Sequence, residues 1–100
     1  MQAIVSVTFT KLDANGKAAD INSKDFTRLT NTLRKSDFEW STSIMRDKRY
    51  YTACVYIEPP CGKDFHNTDK VKDIIKSGTD MSALDGFTLD VDSIEPDDEY

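Results

Sequence analysis

One hundred residues with 38% apolar side chains suit a single domain with a real hydrophobic core, and 31% charged residues with a mean hydropathy of −0.56 describe a well-solvated surface. No apolar run approaches the ~20 residues of a membrane-spanning helix, and Met1–Val5 offers neither the charged nor the apolar region of a secretion signal. Charge is divided unevenly: residues 1–76 hold all thirteen Lys and Arg beside ten acids (+3), and residues 77–100 hold eight acids and no base (−8).

Residues 3–10 open the chain with Val5, Val7 and Phe9 alternating with Ser6, Thr8 and Thr10, the period-two pattern of a half-buried strand. Asn15-Gly16 then marks a turn, after which Lys17–Ile21 either doubles back as a hairpin arm or leads as a loop into a helix. Asn22 or Ser23 caps that helix. Its apolar stripe is Phe26, Leu29 and Leu33, with Asp25 in the first turn and Arg34 and Lys35 in the last, each sign matching the macrodipole.

Period two returns from Asp37 to Ile57. Phe38, Trp40, Thr42 and Ile44 lie on one face of a strand, Arg46-Asp47-Lys48-Arg49 forms a basic tip, and Tyr51, Ala53, Val55 and Ile57 continue the same face on the next strand. Pro59-Pro60 ends this hairpin, because proline cannot donate to a ladder. Asn67 or Thr68 opens a second helix with Val71, Ile74 and Ile75 on one face, and Gly78 follows as its C-terminal punctuation. Phe87, Leu89 and Val91 alternate with Thr88, Asp90 and Asp92 in a last strand that Ile94 extends.

The order β-α-β-β-α-β predicts an α+β domain over residues 1–94, a ferredoxin-like sandwich with two helices on one face of a four-stranded antiparallel sheet. Residues 95–100 form a short acidic tail. Such a fold hosts many functions, so function has to be read from particular residues.

Catalytic and metal chemistry find little to work with. Cys61 and His66 share a loop, but no orienting third group or paired ligand spacing accompanies them, and Cys54 sits apart in a strand. The two cysteines do not make a disulfide framework and are read as reduced thiols of a cytoplasmic protein. Asp13-Ala14-Asn15-Gly16 with Asp20 has part of the composition of a calcium loop, but the glycine stands at position four instead of six, so a turn accounts for it. No catalytic residue, metal site or cofactor is expected.

Binding is the better-supported class. The acids of the last strand and tail, Asp90, Asp92, Glu95, Asp97, Asp98 and Glu99, form a negative surface suited to a basic protein partner, such as a component of a nucleic-acid-processing complex. In this respect the chain is similar to small phage-type inhibitors and nucleic-acid mimics. Tyr50 and Tyr56 fall on the sheet face opposite the helices and are candidate interface anchors, toward a partner or a second copy. The competing reading is single-stranded nucleic-acid binding by that face and the basic tip Arg46, Lys48 and Arg49. Arg49–Tyr56 resembles the RNP1 pattern of RNA-recognition domains at its first, third and eighth positions, without the glycines. Asp97-Asp98-Glu99-Tyr100 resembles the acidic, hydrophobe-terminated tails of single-stranded-DNA-binding proteins. A third reading gives the acids a solubilising role only.

Overall fold

In the computed structural model, which describes residues 3–41, 44–47, 50–58 and 67–96, the first strand alternates without a break. Ala3, Val5, Val7 and Phe9 are fully buried, and Ile4, Ser6, Thr8 and Thr10 are half-buried on the other side. The elements run β1 (Ala3–Leu12), β2 (Ala18–Ala19), α1 (Ser23–Lys35), β3 (Glu39–Trp40), β4 (Ile44–Asp47), β5 (Tyr50–Ile57), α2 (Thr68–Ser77), a 3₁₀ turn (Met81–Leu84) and β6 (Phe87–Pro96).

All pairings are antiparallel. β1 is central, with β5 along one side and β6 along the other. β3 and β4 both pair with the far edge of β5, and β2 pairs with the end of β1 at Lys11 and Leu12. The architecture is therefore α+β, two helices with an antiparallel sheet.

The predicted count of four strands is too low, for two local reasons. After the Asn15-Gly16 turn the chain does double back, but for two residues only. Gly16 adopts φ 77°, Gly16 N–H donates to the Asp13 carbonyl at 3.0 Å, and the Asp13 side chain accepts from the N–H groups of Asn15 and Lys17 at 2.8 and 3.0 Å. At the other edge, the strand expected to alternate from Phe38 to Ile44 is interrupted. Trp40 stands opposite Val55 and Ile44 opposite Thr52, so four residues span three, and the register shifts again between Met45 and Asp47. Arg46 thus falls within β4 instead of a turn, and Lys48 and Arg49 of the expected basic tip lie outside the described residues.

Both helices pack on the odd-numbered face of β1. Leu29 and Leu33 of α1 and Val71 and Ile75 of α2 are buried with Val55, Ile57, Leu84 and Leu89, and Phe26 and Ile74 are partly buried against them. Burying a side chain of this size contributes about 1.5–3 kcal/mol. Aromatic rings fill the end of the core under α1, with Tyr51 edge-on to Phe9 at 6.0 Å and tilted to Phe26 at 5.3 Å, and Trp40 at 6.1 Å from Phe9.

Asp25 is more than a first-turn acid. Its backbone N–H donates to the Asn22 side chain at 2.9 Å and its carboxylate accepts from Asn22 N–H at 3.3 Å, a complete capping box. The same carboxylate, 8% exposed, accepts from Lys11 Nζ at 2.6 Å and lies 3.7 Å from the Arg28 guanidinium, which in turn sits 5.1 Å from the Phe87 ring centroid. One side chain therefore ties β1, the start of α1 and, through Arg28, β6.

Gly78 caps α2 at φ −99°, a conformation open to any residue, so backbone strain does not explain it. Close approach does: a Cβ there would stand 2.5 Å from the Phe38 ring. Replacing Gly78 by Ala is expected to lower the urea-unfolding free energy by roughly 1–3 kcal/mol, the range for overpacking, and Phe38→Leu in the same chain should recover part of that loss.

The Lys11 ammonium, hydrogen-bonded to Asp25, holds that carboxyl below its ordinary value of 3.8 despite burial. A depressed folded pKa stabilises the native state above the ordinary value, and that stability is lost as pH falls from about 4 through the folded pKa. Asp25→Asn should therefore lower stability at pH 7, with the gap to wild type narrowing below pH 4 in acid-titrated denaturation curves.

Candidate binding face

The sheet face turned away from the helices brings hydroxyl, carboxylate and tyrosine side chains together. Register sets it out in rows. Asp90, Thr8 and Thr52 stand side by side across β6, β1 and β5; Ser93, Ser6 and Cys54 form the next row; Glu95, Ile4, Tyr56 and Glu39 form the row beyond, reaching β3. Among the described residues of β1, β5 and β6, no Lys or Arg shares this face.

Its geometry turns on a bulge. Ser93 opposes Ser6 and Val91 opposes Val7, so Asp92 is an extra residue in β6 with no register partner. The bulge lets Val91 and Ile94, three apart, both face the core, where Ile94 is 9% exposed and Val91 partly buried. It also sends Asp92 to the open face, where the Thr8 hydroxyl donates to its carboxylate. Thr8 Oγ1 lies 3.4 Å from Thr52 Oγ1, and Ser6, Thr8, Tyr50, Thr52 and Asp92 line a shallow depression of about 430 Å³.

The predicted acids divide accordingly. Asp90, Asp92 and Glu95 are all exposed on β6, an edge strand paired only with β1 among the described residues. Asp97, Asp98 and Glu99 lie outside the described residues. Among the described residues, Asp90 pairs with Lys72 of α2 at 3.9 Å, an exposed contact worth about 0–1 kcal/mol. Asp80, on the helix side, is held below the ordinary carboxylate value by the Ser82 hydroxyl, in its role as cap of the 3₁₀ turn.

Tyr50 and Tyr56 both reach the open face, Tyr50 as the most exposed large apolar side chain among the described residues at 41% and Tyr56 half-buried. Six residues of strand separate them by about 20 Å, too far to form one stacking platform. Tyr51, third in the RNP1-like stretch, is 1% exposed in the core, so the resemblance does not carry over to a pair of exposed rings.

Cys54 is a free, half-buried thiol on the open face, whereas Cys61 and His66 lie outside the described residues. The Asp13 carboxylate is occupied by backbone amides, and no cluster of three or more His, Cys, Asp or Glu suited to a metal ion occurs among the described residues. No described helix is long and apolar enough to cross a membrane.

The bulge is what pattern reading missed, and its signal was present: a strand that steps Phe87, Leu89, Val91 and then Ile94 breaks period two by one residue. The structural role of Asp25 left no such trace, since its partner Lys11 is fourteen residues away. No protein-family model, curated protein or solved structure matches the chain.

Because Asp92 is the extra residue, deleting it closes the bulge and leaves Ser93 opposite Ser6 and Ile94 opposite Val5 in unbroken alternation, so the deletion should cost far less than truncating Ile94. Deleting Asp92 is expected to stay within about 1 kcal/mol of wild type, whereas Ile94→Ala is expected to cost about 2–5 kcal/mol, the range for truncating a buried aliphatic side chain. Chemical denaturation of the two variants measures the difference.

Proposed function

We propose that this chain acts by binding: the open face of the sheet, led by its acidic edge, docks on a basic surface of another protein. The observation that carries the reading is the alignment of Asp90, Asp92 and Glu95 along one edge strand, with no cation on that face among the described residues of β1, β5 and β6. Carboxylates held side by side repel one another, and a surface of Lys and Arg relieves that repulsion while long-range attraction speeds encounter. Asp97, Asp98 and Glu99 follow directly in sequence and add to the same charge. Tyr50, which lines the same depression as Asp92, serves as the aromatic anchor.

The partner in this reading is a basic, nucleic-acid-handling protein whose cationic groove the acidic face occupies, and the chain is a small intracellular regulator or inhibitor. We read the architecture as a ferredoxin-like sandwich in which β3 and β4 together make one outer strand and β2 is an addition. A dimer formed by pairing β6 with β6 of a second copy runs against the charges, since the acids of the two strands would lie close together.

Affinity capture from a cell lysate tests the reading. Wild type is expected to retain one or more basic proteins, and raising salt to about 0.5 M should release them as the attraction is screened. Asp90→Asn/Asp92→Asn/Glu95→Gln should retain none of them while keeping its circular dichroism spectrum. Equal retention by the triple variant, or direct binding of single-stranded nucleic acid that fails in Tyr50→Ala, would overturn it.

A further inference from the structure

A second surface lies on the helix side of the sheet. Between α1 and the outer edge of β3 runs a cleft of about 460 Å³, within the size range of ligand sites, formed by Thr30, Leu33 and Arg34 on the helix and residues 38–41 with Tyr51 opposite; Glu39 of that stretch alternates with Trp40 and belongs to the open-face row of Tyr56. The Tyr51 hydroxyl, on a side chain otherwise buried, lies 2.9 Å from Thr30 Oγ1. The Trp40 indole N–H donates to Ser36 Oγ at 2.9 Å, which fixes the ring against the wall.

The strand beside this cleft has a free side. Ser41 N–H donates to the Cys54 carbonyl at 2.8 Å, and Trp40 pairs with Val55. In an antiparallel ladder the hydrogen-bonding direction alternates along the strand, so the N–H and C=O of Trp40 point away from β5, where no strand lies among the described residues. At the mouth, Arg34 is exposed and brings a guanidinium to the helix wall.

We propose that this cleft binds an extended peptide segment, which adds beside β3 with an apolar or aromatic side chain in the cleft and a carboxylate two residues further on, toward Arg34. An added strand presents alternate side chains to one face, so one residue fills the space between Leu33 and Trp40 and the next on that face meets the guanidinium. Arg suits a carboxylate because its planar fork can donate two parallel hydrogen bonds. β3 is only two residues long and so leaves a short free edge, and the side-chain pocket and Arg34 contribute most of the selectivity. Apart from Glu39, this surface shares no residue with the rows of the open face, and it takes a partner segment of opposite charge.

Trp40 is the chain's single tryptophan and reports occupancy directly. The probe is the blocked peptide acetyl-Thr-Phe-Thr-Asp-Thr-amide, titrated against the full chain while Trp40 emission is followed. A saturable change is expected. Affinity should fall about tenfold or more for Arg34→Gln, the loss of one charge-assisted contact, and by a similar factor when the peptide's Asp becomes Lys. Methylating the peptide's backbone nitrogens should abolish binding, because an added strand needs those donors. Circular dichroism of Arg34→Gln checks that α1 is intact. No saturable change, equal affinity for Arg34→Gln, or equal binding of the methylated peptide would each overturn the proposal.

Discussion

β2, β5 and β6 are all registered directly against β1, and β3 and β4 through β5, because β1 is paired along both edges and covered on one face. Its odd residues from Ala3 to Phe9 are wholly buried, so a slip of one position would carry the entire set to the polar side. That cost fixes β5 and β6 in register, and through them the alignment of Asp90 with Thr8 and of Tyr56 with Ile4. Lys11, at the end of the same strand, fixes Asp25 and the first turn of α1. The position of each surface group follows from a buried neighbour one residue away.

The two layers carry opposite charge. Lys24, Arg28, Arg34 and Lys35 lie exposed along α1, and Asp90, Asp92 and Glu95 lie exposed on β6 toward the open face. Among the described residues, α1 is therefore a basic face and β6 an acidic edge, a division that gives the local field a direction. The bulge at Asp92 serves core and surface together. It satisfies Ile94 inside and places a carboxylate outside, where Thr8 holds it.

Much of this was legible in the sequence where interactions are local. The alternation of Val5, Val7 and Phe9, the cap at Asn22 and the stripes Leu29–Leu33 and Val71–Ile75 follow from period and end chemistry, which reach only four residues along the chain. The uneven division of acids and bases was equally plain, as was the face on which Tyr50 and Tyr56 lie. The broken outer strand was not legible, because an irregular edge depends on how β5 accepts it, and Phe38 and Trp40 alternate as well as any regular strand.

By itself the sequence determined which residues seek the interior and where helices begin, since burial preference and capping are properties of a side chain and its near neighbours. Only the tertiary structure decided that Asp90, Asp92 and Glu95 lie on an open edge, that Gly78 leaves room for Phe38, and that a cleft lies between α1 and β3. Each of these joins residues distant in the chain. Such contacts are set by packing and strand order, which no local period encodes.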